Sequence, residues 1–309
     1  MNGKLNVLRD QINKYFTGKE EITDNVLCCF LAGGHLLLED VPGVGKTTLA
    51  RTFARSLGLS FGRIQFTPDT MPSDITGLSI YDMKTGEFTY RPGAVMKNIV
   101  LADELNRTAP KTQSALLEAM AEGQVTVDNV IRQLPKPFMV IATQNPASFA
   151  GTYPLPEAQL DRFMMKLSIG YPDEAAELQM ARNHIAKISD TDAAAVVSSD
   201  DIASMTGDTE SVHLSDALLA YMQQITDRTR IDPAFTLGAS PRALLHLVAI
   251  VRARAYIQGR DYATPDDVKY MAVPVLSHRL VLTTEMRLQK KSVSDLLNAL
   301  ILKIPVPME

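Results

Sequence analysis

A strand, a glycine turn and the start of a helix follow one another between residues 35 and 49. Gly43 and Gly45 allow the backbone of the turn to direct its N–H groups at phosphate oxygens. Lys46 can then reach the β- and γ-phosphates of a nucleotide, and the Thr47 hydroxyl can bind magnesium. The free amides at the start of the helix attract anions as well. The pattern therefore predicts a cradle for the phosphates of a nucleotide.

One position of this segment departs from the strict pattern G-x-x-x-x-G-K-[ST]. Asp40 stands where the first glycine of that pattern is expected. An unrelated strand–turn–helix unit is the alternative interpretation, and the downstream sequence argues against it. The residues predicted to bind the nucleotide are Pro42, Gly43, Val44, Gly45, Lys46, Thr47 and Thr48.

A second apolar run, from residue 98 to residue 102, ends in the carboxylates of Asp103 and Glu104. Runs of this kind form strands that are buried in parallel sheets. At the carboxyl end of such a strand, beside the cradle, Asp103 can hold magnesium through a water. Glu104 can act as the general base that polarises an attacking water. We therefore predict nucleotide hydrolysis, with Thr47 and Asp103 at the metal and Glu104 as the base.

The first half of the chain alternates β-rich runs with helix-like stretches. Alternation of this kind is typical of a parallel α/β sheet with helices on its faces. The fold class is therefore α/β, with a nucleotide-binding core over residues 1–171. The five predicted strands are residues 35–39, 63–67, 98–102, 138–143 and 164–169.

The second half of the chain has a different character. From residue 173 onward the pattern is mainly helical, with helix starts at residues 240–242 and 264–267. We predict a smaller helical domain over residues 172–309. Within it, the polar stretch of residues 189–210 is expected to be a loose connection.

Length and composition indicate an ordinary soluble protein. The chain has 309 residues, enough for about two domains, and its hydrophobic content of 46% is ample for their cores. No apolar run is long enough for a membrane helix and residues 1–10 lack the order of a signal peptide, so the cytoplasm is the expected location. Cys28 and Cys29 lie in an apolar segment and the five histidines lack ligand spacing, so all are expected to be structural. The net charge of −4 argues against a large nucleic-acid contact surface, but it is compatible with a local basic channel.

Two segments interrupt the α/β alternation. Residues 68–97 contain a turn at residues 84–86 between β-forming residues, and residues 121–137 contain a similar turn at residues 128–129. Each segment is predicted to be a β-hairpin. They are either plain surface hairpins or elements that face a pore or a partner.

Three further polar residues could complete a hydrolytic site. Asn145 ends the fourth predicted strand and could hold the attacking water beside Glu104, although Asn-Pro is also a common turn. Arg162 precedes the last predicted strand, and it either pairs with a surface carboxylate or reaches the γ-phosphate of a neighbouring subunit as an arginine finger. Arg242 lies in the first turn of a predicted helix, where a cation is unfavourable with the helix dipole, and it hints at an anionic ligand.

In this order the motifs resemble those of an AAA+ ATPase. Residues 42–47 resemble Walker A and residues 101–104 resemble Walker B, while Asn145, Arg162 and Arg242 match sensor 1, the arginine finger and sensor 2. More narrowly, the chain resembles the MoxR family, which tolerates an aspartate at position 40. The resemblance covers most of residues 17–170 and, more thinly, the helical part, and its matching stretches are residues 33–39, 64–69, 72–77, 102–107, 142–146 and 155–163.

The resemblance implies an αβα core with a helical lid, with ATP or ADP and Mg2+ bound between them. It implies a homo-hexameric ring in which Arg162 completes the site of a neighbouring subunit and both hairpin segments face the central pore. It also implies a chaperone-like remodeller that matures or activates protein complexes, often by inserting a metal or cofactor. The partner that the family uses for this work carries a von Willebrand factor A domain.

Two functions compete at this point. The first is the ATP-driven protein remodeller, and the second is a nucleic-acid-dependent motor or restriction-type NTPase on the same core. A DNA channel needs lysine, arginine and aromatic residues at both hairpin tips. The tip at residues 127–130 has no cation and the other tip has one, Lys84. The sequence therefore favours the remodeller, and contact with nucleic acid is not expected.

Overall fold

The structure is a computed structural model that describes residues 3–17, 19–41, 43–145 and 151–307. An α/β core comes first in the chain and a helical lid follows it. The core helices are α1 (Gly3–Tyr15), α2 (Glu20–Leu31), α3 (Lys46–Ser56), α4 (Pro72–Thr76), α5 (Pro110–Glu122) and α6 (Glu157–Leu160). The core strands are β1 (Leu36–Glu39), β2 (Phe61–Gln65), β3 (Gly77–Asp82), β4 (Glu87–Pro92), β5 (Ile99–Asp103), β6 (Gln124–Val127), β7 (Val130–Gln133), β8 (Met139–Gln144) and β9 (Met165–Leu167).

Five of these strands form one parallel sheet in the spatial order β2-β5-β8-β1-β9. The inner strands are apolar without alternation because helices cover both faces of the sheet. In β5, for example, Ile99 and Leu101 pack into one apolar cluster, whereas Val100 and Ala102 pack into another on the opposite face. The predicted α/β fold class with a five-stranded parallel sheet is confirmed.

The carboxyl ends of β1, β5 and β8 lie side by side at one edge of the sheet. In this register Leu37 pairs with Ala142, and Leu101 pairs with Ile141. Ligands of open α/β sheets bind at this edge, because the chain leaves the strands there in loops that can shape a site. The polar residues that follow the three strands therefore come together.

Each of the two interrupting segments contains an antiparallel hairpin, β3–β4 and β6–β7. Asp128 and Asn129 form the turn of the second hairpin with φ of 54° and 61°, which suits a two-residue type I′ turn. The hairpins touch each other, since the Arg132 guanidinium lies 3.7 Å from the centre of the Tyr90 ring. They form one projecting unit on the face of the sheet that α5 covers.

The lid is mainly helical and packs on the core through α2. The described residues include three 3-10 helices, of which η1 (Leu105–Arg107) lies in the core and η2 (Asp190–Asp192) and η3 (Ser277–Arg279) lie in the lid. The other elements of the lid are α7 (Glu174–Ile185), α8 (Ser199–Glu210), α9 (Asp216–Ile231), β10 (Phe235–Leu237), α10 (Pro241–Ile257), α11 (Pro265–Leu276), β11 (Val281–Leu282), α12 (Thr284–Leu288) and α13 (Val293–Ile301).

Helix α10 is the centre of the lid and contacts α2, α8, α9 and α11. It begins after the N-cap Ser240, and α11 begins after Thr264, as the sequence predicts. Val26 of α2 and Leu247 of α10 belong to one apolar cluster that continues from core to lid. The domain division between residues 171 and 172 therefore stays a prediction.

The prediction of a loose connection over residues 189–210 is wrong, because α8 occupies its second half. Ser198 and Asp201 form a capping box at its start, in which each side chain accepts a hydrogen bond from the backbone N–H of the other residue. Ile202 and Met205, three positions apart, are buried on one face of the helix. A polar composition concealed an amphipathic helix that needs few apolar positions.

Candidate active site

The turn between β1 and α3 has the backbone geometry that the sequence pattern requires. Gly43 and Gly45 have φ of 90° and 89°, in a region that residues with a Cβ rarely adopt. Gly45 is the N-cap of α3 and supplies no side chain, so no side-chain cap covers the first amides of the helix. Such amides bind anions. Pro42, also predicted to bind the nucleotide, lies outside the described residues.

Lys46 is the cation of this turn. Only 9% of the residue is exposed, and its Nζ donates a hydrogen bond of 2.8 Å to the backbone oxygen of Asp40. Burial lowers the pKa of Lys46, whereas the nearby carboxylates of Asp40, Asp103 and Glu104 raise it. Because the ammonium is largely withdrawn from water, its attraction for a phosphate is weakly screened.

Both oxygens of the Asp103 carboxylate are hydrogen-bonded. Thr143 of β8 donates to Oδ1 and Arg63 of β2 donates to Oδ2, each at 2.7 Å. The two strands that flank β5 therefore fix the orientation of the carboxylate. Arg63 is 44% exposed, so the Oδ2 side opens toward solvent. A carboxylate in this position suits Mg2+, which prefers oxygen ligands and keeps several waters.

Glu104 is held in an unusual conformation. Its φ is 57°, a left-handed value that a non-glycine residue adopts at a cost, and such residues cluster at functional sites. Its Oε1 accepts a hydrogen bond of 3.0 Å from Asn145, and its Oε2 accepts from Gln65 at 3.0 Å and from Arg107 at 2.9 Å. The orientation of the Glu104 carboxylate is therefore fixed by donors on Asn145, Gln65 and Arg107.

These groups line one cavity of about 400 Å3 at the carboxyl edge of the sheet. It combines backbone amides, a buried ammonium, a threonine hydroxyl and two carboxylates. This donor set fits a triphosphate with its Mg2+. The lining residues are Gly43, Gly45, Lys46, Thr47, Thr48, Arg63, Gln65, Asp103, Glu104 and Asn145.

An apolar cavity of about 60 Å3 lies directly beside this cradle. Gly43, Gly45 and Thr48 line both cavities, and Val44 lines the apolar one. Its other lining residues come from the end of α1, the following turn, the segment before α7 and α7 itself, and they are Tyr15, Phe16, Thr17, Lys19, Pro172 and Met180. Sequence analysis missed these residues, because only the packing of α1 and α7 against the turn brings them to the cradle.

Arg162 and Arg242 do not line the cradle of their own chain. They lie together in a separate cavity of about 200 Å3, which His35 and His246 also line. Arg162 Nη1 donates to the backbone oxygen of Leu117 at 2.5 Å. Arg242 Nη1 lies 3.7 Å from Asp161 Oδ2. The structure thus brings the two predicted arginines together at the seam of core and lid, but not to the phosphates of the same chain.

Both cysteines and His35 behave as core residues. Cys28 and Cys29 are buried, and burial raises the pKa of both thiols. Burial also lowers the pKa of His35 to about 4, so this imidazole is neutral at physiological pH. Over the described ranges the structure contains no cluster of three or more His, Cys, Asp or Glu residues that could hold a metal. No helix there has the length and apolar character that a membrane span requires.

Comparison with known proteins agrees with this geometry. The family described as "ATPase family associated with various cellular activities (AAA)" matches residues 35–165, and the AAA lid domain matches residues 227–300. The uncharacterized protein YeaC of Bacillus subtilis is 46% identical, over 97% of this chain and 94% of its own length. Chaperone MoxR1 of Mycobacterium tuberculosis is 38% identical, over 96% of this chain and 81% of its own length. The chain belongs to the MoxR family of AAA+ ATPases.

A solved structure supports the assignment at the level of the fold. The crystal structure of an ATPase candidate from Cytophaga hutchinsonii superposes with a TM-score of 0.93 at 37% identity, covering 99% of this chain and 96% of that chain. The predictions of an ATPase and of the MoxR family are therefore confirmed. The individual roles of the site residues stay predictions.

Asp40, the departure from the strict glycine pattern, has a structural task in this MoxR-family ATPase. The residue is 6% exposed, and its carboxylate accepts hydrogen bonds from the Ser168 hydroxyl and from the backbone N–H groups of Ile169 and Gly170. These three residues follow β9 and lead into the lid. Asp40 therefore ties the start of the phosphate turn to the connection between core and lid.

We expect Asp40→Ala to lower the free energy of unfolding by about 2 to 4 kcal/mol, because the buried backbone N–H of Ile169 and the partly buried N–H of Gly170 lose their acceptor. Chemical denaturation of the full chain measures the change. The matched control is Asp69→Ala at an exposed position, which should change the free energy by no more than about 0.5 kcal/mol. Equal changes in the free energy of unfolding for the two substitutions would contradict a stabilising link between Asp40 and residues 168–170.

We expect Lys46→Ala to lose nucleotide affinity, and Glu104→Gln to keep that affinity but lose turnover by about a hundredfold or more. The reason is that one residue binds phosphate whereas the other activates water. Equilibrium binding of a fluorescent ATP analogue and steady-state hydrolysis measure the two properties separately. Near wild-type hydrolysis by Glu104→Gln would remove this residue from the role of general base.

Proposed function

We propose that this MoxR-family ATPase is a chaperone-type remodeller, a homo-hexameric ring that hydrolyses ATP with Mg2+ to mature or activate protein complexes. In this proposal Lys46 and the amides of the turn bind the β- and γ-phosphates. Thr47 and Asp103 hold Mg2+. The base of the nucleotide extends from the cradle toward the apolar cavity, between Val44 and Met180. The lining of the two cavities supports these nucleotide and metal assignments.

Glu104 takes the proton of the attacking water in this proposal, and Asn145 orients that water. Support comes from the hydrogen bond of 3.0 Å between Asn145 and Glu104. Gln65 and Arg107 occupy the second oxygen of the same carboxylate, so they hold Glu104 while its first oxygen acts. A general base must lie within hydrogen-bond reach of the proton that it takes, so a fixed carboxylate suits this role.

The proposal of a ring is supported mainly by the position of Arg162 and Arg242. Two cations lie side by side in a cavity of about 200 Å3 that is separate from the phosphate cradle of the same chain. Arg242 is 50% exposed and has only a long contact to Asp161. Guanidinium groups in such a position suit the γ-phosphate of a second subunit. We therefore assign both arginines to the site of a neighbour.

We expect Arg162→Ala to lower turnover on the order of a thousandfold and to act across the subunit boundary. Mixing Arg162→Ala subunits with Lys46→Ala subunits should recover activity, because some interfaces then combine an intact cradle with an intact arginine. Steady-state ATPase assays of the mixture against each variant alone measure this recovery. Mixed rings that assemble, by light scattering, without regaining activity would refute the neighbour assignment.

The proposal that the client is a protein is supported by the exposed apolar side chains of the two hairpins. Tyr81, Met83 and Phe88 of the first hairpin are exposed, Met83 by 89%, and the second hairpin exposes Val130 and Ile131. Aromatic and methionine side chains at an exposed tip suit contact with apolar polypeptide. Arg132, a cation of the second hairpin, already packs on the Tyr90 ring.

The remaining parts of the proposal follow from the family. We propose a cytoplasmic remodeller that works with a partner carrying a von Willebrand factor A domain. A relative named Chaperone MoxR1 supports the chaperone class. The hairpins at residues 68–97 and 121–137 are proposed to face the pore and to contact the client there.

We expect neither single- nor double-stranded DNA to raise the ATPase rate at physiological salt, because phosphate binding requires more cations than the hairpin tips carry. ATPase assays with and without DNA of each form make the test. Lys84→Glu is the informative variant, since Lys84 is the cation of the first tip. The remodeller hypothesis would be replaced by the nucleic-acid motor hypothesis if DNA raised the ATPase rate severalfold and Lys84→Glu abolished that stimulation with assembly intact.

A further inference from the structure

Arg279 of η3 is a buried charge that the ATPase site described above does not use. Its side chain is 2% exposed, and its Nε lies 3.2 Å from Oδ1 of Asp161, the residue that precedes Arg162. Nε is not aligned for a hydrogen bond, so the contact is an ion pair between the lid and the core. Placing a guanidinium in the interior is costly unless polar groups surround it.

The other contacts of Arg279 hold the backbone on both sides of Arg162. Its Nη2 lies 3.3 Å from the backbone oxygen of Asp161 and 2.5 Å from that of Phe163. The preceding residue, His278, donates from Nε2 to the same Phe163 oxygen at 3.0 Å. Two consecutive lid residues therefore fix the short turn from which the Arg162 side chain departs.

A neutral histidine completes the environment of Arg279. Its Nη2 lies 2.6 Å from Nδ1 of His246 on α10. Because a guanidinium can only donate, Nδ1 is the acceptor and the His246 proton is on Nε2. Burial first, and then the charges of Arg279 and Arg242, lower the pKa of His246 to about 3. The imidazole is therefore uncharged at physiological pH and orients the guanidinium without repelling it.

Asp161 links this cluster to the second arginine as well. The Ser240 hydroxyl donates to Oδ1 of Asp161 at 2.8 Å, and Arg242 Nη1 lies 3.7 Å from Oδ2. Ser240 is the N-cap of α10, so the carboxylate holds the helix turn that carries Arg242. The Asp161–Arg279 ion pair thus contacts both the backbone that carries Arg162 and the helix start that carries Arg242.

Simple attachment of the lid does not account for this arrangement. The lid already packs on the core through apolar residues such as Leu247, and a buried ion pair is seldom more stabilising than apolar packing. What the charged group adds is direction, because Nη2 donates to two backbone oxygens of the core while the Asp161 carboxylate attracts the guanidinium. The contacts that it makes are those next to Arg162.

We propose that Arg279, through Asp161, is a positioning residue that holds Arg162 and Arg242 in the geometry required to act on the neighbouring subunit's nucleotide. The inference rests on the proposed neighbour role of these arginines. A displacement of about 1 Å in a catalytic group costs about a hundredfold in rate. Arg279 therefore affects hydrolysis in the next subunit without touching a nucleotide itself.

The test is Arg279→Gln in the full chain, which removes the charge and keeps much of the volume. We expect kcat to fall about 10- to 100-fold, while binding of a fluorescent ATP analogue to the variant's own cradle stays unchanged. Mixing Arg279→Gln subunits with Lys46→Ala subunits should recover activity, because the Lys46→Ala subunits present correctly held arginines to intact cradles. A residue that only stabilised its own subunit would not be rescued in this way.

Arg260→Gln is the matched control. Arg260 donates to both oxygens of the buried Asp267 at 2.7 and 2.8 Å, at the opposite end of α11 from Arg279. We expect this variant to lose thermal stability but to keep kcat within about twofold. If Arg279→Gln does not assemble, Asp161→Asn tests the same ion pair from a carboxylate that is 19% exposed, and the same loss and recovery are expected.

The outcomes separate this inference from the proposed function. If the mixture of Arg162→Ala and Lys46→Ala subunits fails to recover activity, the neighbour role itself is wrong. If that mixture recovers but Arg279→Gln and Asp161→Asn keep wild-type kcat, Arg279 is not a positioning residue. The inference is equally overturned if both variants lose turnover and neither is rescued by Lys46→Ala subunits.

Discussion

The parallel pairing of β5, β8 and β1 is the interaction on which the active site depends. Its register places the ends of three buried strands at one edge, so that residues far apart in the chain meet there. Asp103 ends β5 beside Thr143 of β8, and the phosphate turn follows β1 on the other side of β8. A shift of register would move the polar ends of these strands apart, because the hydrogen-bond ladder sets which strand ends lie side by side. The sheet therefore fixes the catalytic geometry more firmly than the loops could.

The loops at this edge carry the strain and the polar contacts. Glu104 has a left-handed backbone, which persists because its amide donates to Thr143 and its carboxylate is held by three donors. Asp40 plays the corresponding part at the phosphate turn, where its carboxylate accepts from the segment that leads to the lid. Hydrogen bonds to buried charges are among the stronger polar contacts in proteins, so both loops are pre-organised for the nucleotide.

The lid is attached by two kinds of contact with different consequences. Apolar packing of α10 on α2 supplies affinity between the parts but little direction, because dispersion and burial do not depend on exact orientation. The Asp161–Arg279 ion pair supplies direction at the cost of desolvation. A lid that moves as a body carries Arg242 with it, and in the proposal above the Asp161–Arg279 contact couples that movement to the core turn of Arg162.

The sequence by itself determined the fold class and the phosphate cradle, because both depend on local patterns. Apolar runs of strand length predict buried parallel strands, and glycines before Lys46 and Thr47 need only the local backbone to form the turn. The sequence failed at residues 189–210, where two buried apolar side chains are enough for α8 to pack. It also gave no sign of the apolar cavity beside the cradle.

Tertiary structure alone decided the partners of the polar residues. Sequence reasoning gave Gln65, Arg107 and Arg279 no role. The contact of Gln65 crosses from β2 to the end of β5, and that of Arg279 crosses the seam of core and lid. The contact of Arg107 with Glu104 is local but depends on the left-handed turn at Glu104. Tertiary structure also decided that Arg162 and Arg242 lie together and away from the cradle of their own chain. The physical reason is that the interaction energy of a charged side chain depends on its distance to other charges. That distance is set by packing between elements remote in sequence.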